Sequence, residues 1–160
     1  MKVHFAFLFA AMNLAACAAG PSASDGASEA EYHRPPVNAF EEKFAAEPGV
    51  KPIRWGGWMK TLVEGSGASA GADDKVKVHY RGTLVDGTEF DSSYKRGQPA
   101  TFPLANVISC WTNGVMAMRV GGKARLVCPS ATAYGDAGSP PTIPGKATLV
   151  FEIELLDVVR

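Results

Sequence analysis

The feature that most limits how this chain can fold is an apolar–polar alternation in two segments. In VKVHYRGTL, Val76, Val78, Tyr80 and Leu84 alternate with Lys77, His79, Arg81 and Thr83. In ATLVFEIEL, Leu149, Phe151, Ile153 and Leu155 alternate with Thr148, Glu152 and Glu154. A period of two sends successive side chains to opposite faces of a strand, so each segment has one core face and one wet face. Sheets with one solvated face are antiparallel, because parallel sheets are covered on both sides.

The segment ISCWTNGVMAM breaks this period. Ile108, Trp111, Val115 and Met118 share one helical face. Asp86-Gly87 and Gly121-Gly122 are turn signals. The run KARLVC after the second turn directs Ala124, Leu126 and Cys128 inward. These elements predict an α+β fold, an antiparallel sheet closed by one short helix. A hydrophobic content of 46% suffices for a core, and 16 basic against 16 acidic residues give no net charge. That balance argues against nucleic acid, since phosphate binding usually leaves a basic excess.

The first residues belong to a different regime. MKVHFAFLFAAMNLAAC has one lysine, an apolar run and then small residues. It reads as a secretory signal, too short to stay in a bilayer as a spanning helix. Leu14-Ala15-Ala16-Cys17 resembles the lipobox of bacterial lipoproteins, which implies acylation of Cys17 and a lipid anchor. The alternative is an ordinary signal with an alanine-rich cleavage site. Ala18 follows the cysteine, with no aspartate to imply retention in the inner membrane, so the resemblance implies the periplasm and the outer membrane. Ala18 to Asn38 is small, polar and proline-containing, the composition of a flexible tether. Phe40 and Phe44 stand at i, i+4 in AFEEKFAAE and predict a short helix, ended by Pro48-Gly49. The expected organisation is thus a signal over residues 1–16, a lipidated tether with a short helix over 17–54, and a globular domain over 55–160.

The blocks VKVHYRGTLVDGTEFDSS, GVMAMRVGGKARLVCPSATAYG and IPGKATLVFEIELLDV together resemble an FKBP-type peptidyl-prolyl cis-trans isomerase domain, from about Trp58 to Val159. The sequence is similar to the Mip-like exported bacterial isomerases within that family. The resemblance implies an antiparallel sheet half-wrapped around one short α-helix, with an apolar pocket between them. It assigns Tyr80, Asp91, Ile108 and Tyr134 to catalysis, and Phe90, Val107, Trp111, Ile143 and Phe151 to substrate binding. Trp111 floors the pocket in this reading, and the Ile108 backbone N–H and Tyr134 hydroxyl meet substrate carbonyls. The implied partners are proline-containing polypeptides, with macrolide inhibitors a second class of ligand. Only about 40 residues separate Cys17 from the first strand. That leaves no room for the long helical dimerisation domain of Mip-like relatives, so a monomer is expected.

The chemistry of the residues agrees with this reading. A peptide bond resists rotation by about 18–20 kcal/mol because resonance must be broken. The twisted amide is less polar than the planar one, so an apolar, water-excluding pocket favours it. Catalysis then needs differential binding and no metal, cofactor or nucleophile. Asp91, directly after Phe90, is expected to position Tyr80 and substrate rather than to act as a base. His79 falls on the polar face beside Lys77 and Arg81, away from any catalytic arrangement. Ala100 stands where the family often has an aromatic, which thins one pocket wall, and Ser139 and Thr142 occupy flap positions that are often bulkier. The competing reading is a chaperone or adhesin module that uses the pocket without turnover.

Three cysteines are an odd number for an exported chain. Assigning Cys17 to lipid leaves Cys110 and Cys128 as a pair in an oxidising compartment. Cys128 points inward by alternation and Cys110 starts the helix that packs there, so a disulfide is expected. Two buried free thiols are the alternative.

Overall fold

The computed structural model describes residues 36–160. The signal segment, Cys17 and the tether up to residue 35 lie outside the described residues. The first described helix, α1, spans Ala39–Ala45. Seven strands follow: β1 (Val50–Pro52), β2 (Trp58–Val63), β3 (Lys75–Leu84), β4 (Glu89–Ser92), β5 (Ala100–Pro103), β6 (Lys123–Cys128) and β7 (Leu149–Val159). A second helix, α2 (Ser109–Met116), lies between β5 and β6. All the strands pair antiparallel in one sheet of order β1-β2-β6-β7-β3-β4, with β5 pairing the other half of β3.

The alternation seen in the sequence places the core. Val76, Val78 and Tyr80 of β3 and Leu149, Phe151, Ile153 and Leu155 of β7 are buried on the same face. The two strands pair from Lys75↔Val159 to Leu84↔Leu149, with a register shift between Lys77 and Val78. That shift leaves Leu156 as an extra residue and turns Val158 toward the core. Helix α2 lies against this face through Cys110, Trp111, Gly114 and Val115. Met118 is buried as expected, although it lies past the end of the helix.

Two expectations require correction on the outer face of the sheet. Thr148, read as outward and wet, is buried. Its hydroxyl donates to Glu41 Oε1 at 2.6 Å, and Asn38 Nδ2 donates to it at 2.9 Å. Glu41 is itself fully buried, with Asn38 Nδ2 and the Val37 N–H as further donors at 2.9 Å each. The carboxylate is thereby hydrogen-bonded, which is the condition for tolerating it there. The boundary at residue 55 also falls inside the folded unit. β1 pairs β2 through Val50↔Lys60 to Pro52↔Trp58. Phe44 packs with Trp58 and Val127 in a second apolar cluster. Helix α1 covers these side chains, which a sheet solvated on its outer face would leave in water.

Phe44 is buried by contacts on this outer face, so Phe44→Ala should destabilise the protein by about 3 kcal/mol through lost transfer energy and a cavity. Urea denaturation of the two proteins measures it. A difference below about 1 kcal/mol would mean that α1 is not docked on the sheet.

Candidate active site

Between α2 and the inner face of the sheet lies a cavity of about 460 Å³. Its floor is Trp111, buried on α2 and met edge-on by three rings from three strands. Tyr80 of β3 lies 5.2 Å away between ring centroids, Phe151 of β7 5.3 Å, and Phe102 of β5 5.7 Å. Their interplanar angles of 84°, 87° and 88° are the edge-to-face arrangement that the ring quadrupoles favour. Phe90 of β4 continues the wall against Phe151 at 5.6 Å. Gly82 makes room for that pair. A Cβ there would stand 2.6 Å from Phe90 Cζ and 2.9 Å from Phe151 Cε1. Strand β3 therefore needs a residue without a side chain opposite the two rings.

One corner of the cavity is polar. The Tyr80 hydroxyl donates to Asp91 Oδ2, and Arg96 Nη1 forms an ion pair with Asp91 Oδ1. Arg96 Nη2 also donates to the Tyr80 hydroxyl at 2.9 Å, with the guanidinium 5.5 Å from the Tyr80 ring centre. Asp91 is not deeply buried, its side chain being 41% exposed. Partial burial works against its charge, but the hydrogen bonds from Tyr80 and Arg96 outweigh it and hold the carboxyl below its usual range. Burial, and then the bond to Asp91, raises Tyr80 above the usual phenol range. The same bonds to Tyr80 and Asp91 raise Arg96. The triad is locked with a neutral tyrosine, an ionised carboxylate and a charged guanidinium.

The family described as FKBP-type peptidyl-prolyl cis-trans isomerase matches the chain over residues 67–156. The chain belongs to this family. It is 49% identical over 119 residues to the FKBP-type peptidyl-prolyl cis-trans isomerase FkpA of Escherichia coli (strain K12), covering 74% of this chain and 44% of that protein. The chain thus spans less than half of that relative. The crystal structure of FkpA from Escherichia coli superposes with a TM-score of 0.72 at 48% identity, covering 75% of this chain and 56% of that one. A crystal structure of a peptidyl-prolyl cis-trans isomerase from Pseudomonas syringae pv. tomato gives a TM-score of 0.72 at 43% identity, covering 76% of this chain and 89% of that one.

In this FKBP domain most of the side chains singled out in the sequence surround one cavity. Val107 and Ile108, in the approach to α2, line it with Tyr80, Phe90, Asp91, Trp111 and Phe151. Tyr134 stands on the rim, 43% exposed. The Ile108 carbonyl accepts from the Trp111 and Thr112 N–H groups, and as the residue capping α2 it keeps its own N–H outside the helical ladder. Ile143 does not line the cavity. It is buried in the main core, where its backbone bridges to Ser139. His79 is half-buried on the outer face, stacked on Tyr94 at 4.7 Å and hydrogen-bonded to Ser93 Oγ at 2.9 Å. Cys110 and Cys128 are joined, with their Cα atoms 5.7 Å apart.

Sequence reasoning did not single out Phe102, Asn106 or Arg96. Phe102 supplies a ring to the wall that Ala100 was expected to leave thin, while Ala100 itself packs against the core. The only signal for Phe102 is its two-residue spacing from Ala100 in a strand too short to show a period. Arg96 lies in an exposed turn after β4, where nothing in the pattern distinguishes it from a solvated residue.

The triad also sets an expectation for pH. Asp91 is depressed, so its contribution is present above the unfolded value of about 3.9 and is lost as pH falls through the lower folded value. Tyr80 is raised, so its contribution holds below about 10 and is lost as pH rises through the higher folded value. Both losses lie outside the neutral range. The rate of any reaction run in this cavity should be flat from about pH 6 to 8, measured as kcat/KM. A bell-shaped dependence inside that window would mean that a proton must move.

Proposed function

We propose that this chain is a peptidyl-prolyl cis-trans isomerase acting on proline-containing polypeptides, and that it works by binding the twisted X-Pro amide better than the planar one. The observation that carries this is the cavity itself: a floor of mutually packed aromatic rings with one fixed polar corner. Uncatalysed X-Pro isomerisation takes tens to hundreds of seconds at 25 °C because amide resonance must be broken. An apolar floor takes up the proline ring and the less polar twisted amide and disfavours the planar amide, which loses water on entry. The locked Asp91–Tyr80–Arg96 corner adds a fixed electrostatic field without reorganisation during rotation. The Ile108 N–H and the Tyr134 hydroxyl serve as donors to substrate carbonyls. Binding that is stronger in the transition state than in the ground state accelerates the reaction.

A protease-coupled isomerisation assay on the purified protein tests this. The protein should accelerate cis-to-trans conversion of an X-Pro peptide in proportion to its concentration, and no acceleration would refute the proposal. Asp91→Leu and Phe151→Ala should each lower kcat/KM by roughly ten- to a hundredfold, about 1.4–2.7 kcal/mol. Tyr134→Phe keeps the ring and removes one hydrogen bond, at a cost of about 1 kcal/mol. Circular dichroism must show each variant folded, since Phe151 also belongs to the core.

We further propose that the chain is exported and anchored by lipid on Cys17 in the periplasm, at the outer membrane. Leu14-Ala15-Ala16-Cys17 supports this, as does the polar composition of the residues that follow. Labelled fatty acid should enter the full-length protein in bacteria and not Cys17→Ser, whereas equal labelling of both would contradict the anchor.

A further inference from the structure

Helix α2 carries the cavity floor, and beyond the ring contacts of Trp111 and the bond from Thr112 Oγ1 to the Leu104 carbonyl at 2.8 Å, little in its own sequence holds its start in place. It has eight residues, and isolated helices of that length are marginal in water. Its N-cap, Ile108, offers no side-chain hydrogen bond, and its first turn contains no acidic residue to meet the exposed N–H groups. Two side-chain links join this start to one other segment. Cys110 is bonded to Cys128, and Ser109 Oγ donates to the Thr132 carbonyl at 3.3 Å. That second segment runs from the end of β6 through Pro129 and a 3-10 turn at Ser130–Thr132 to Tyr134 on the rim. The bond thus ties the wall bearing Ile108 and Trp111 to the wall bearing Tyr134.

We propose that the Cys110–Cys128 disulfide is a positioning element of this cavity. It sets the spacing between the Ile108 and Tyr134 walls, beyond adding to the stability of the fold. This rests on the isomerase reading above. Three observations favour a fixed strut over a redox switch. Both cysteines are fully buried. The β1–β2 loop lies directly on the bond, where a Cβ on Gly57 would come within 3.3 Å of Cys110 Sγ and 2.9 Å of the Val127 carbonyl. Gly57 also has φ +119°, so the loop takes this course because a glycine stands there. An attacking thiolate must reach a sulfur to break the bond, and the closed fold gives it no path.

The test uses Cys110→Ala/Cys128→Ala and, to restore most of the lost volume, Cys110→Ala/Cys128→Val. Both are assayed for isomerisation at 10 °C beside the oxidised parent, after circular dichroism and a thermal melt establish the folded fraction. Loss of a bond that only stabilises would lower the melting temperature and leave kcat/KM per folded molecule unchanged. Loss of a positioning bond should lower kcat at least fivefold in both variants with KM changed less than twofold. Amide exchange should also rise in residues 109–116 and 130–134, with β3 and β7 still protected. Parent-like kcat/KM in a folded variant overturns the proposal and leaves the isomerase reading intact. An inactive parent overturns both. Should neither variant fold, exchange in the oxidised parent decides. A strut requires the amides of 111–115 to exchange only with the whole sheet, and their opening on their own refutes it.

Discussion

The packing of Trp111 against Tyr80, Phe102 and Phe151 is the contact on which the rest of the domain depends. Each partner ring comes from a different strand, and the indole comes from the helix. Such pairs contribute about 0.5–1.5 kcal/mol each beyond their area burial. Because they converge on one residue, the placement of α2 on the sheet and the shape of the cavity floor are one property. The helix cannot shift without breaking all three contacts. Gly82 shows how narrow the tolerance is, since a single methyl group on β3 would collide with the rings of Phe90 and Phe151.

The polar corner is built on the opposite plan. Tyr80 belongs to the aromatic floor and to the hydrogen-bonded triad at once, so the apolar surface and the fixed charges share a side chain. Asp91 accepts from two donors within its own network. A carboxylate so engaged is a poor base, because taking a proton would cost it those bonds. The cavity therefore offers a shaped apolar surface and a fixed field, which are what rotation about an amide requires. His79, next to Tyr80 in sequence, is directed to the other face and is occupied with Ser93 and Tyr94.

The inner face of the sheet was legible because burial there is one-sided. Val76, Val78 and Tyr80, and Leu149 to Leu155 in steps of two, follow from period alone. The outer face was harder to read. The i, i+4 pair Phe40 and Phe44 was visible as an apolar stripe, but nothing local says that it docks on Trp58 and Val127. The same helix buries Thr148 and Glu41, polar residues that pattern alone puts in water. Around the cavity, the ordered sequence blocks pointed to Trp111, Phe151 and Asp91. Arg96 escaped notice because its role arises from a turn that folds back five residues onto Asp91. Ile143 went the other way: an apolar residue in the flap satisfies core packing as readily as a cavity wall.

The central claim is that the cavity lowers the barrier through shape and a fixed field, with no proton in flight. A solvent isotope measurement addresses it most directly, by comparing kcat/KM for X-Pro isomerisation in H₂O and D₂O at matched protonation. Rotation about the amide alone predicts a ratio of about 1, because no O–H or N–H bond is made or broken in the transition state. A ratio of about 2 or more would place a proton transfer in the rate-limiting step and contradict the account.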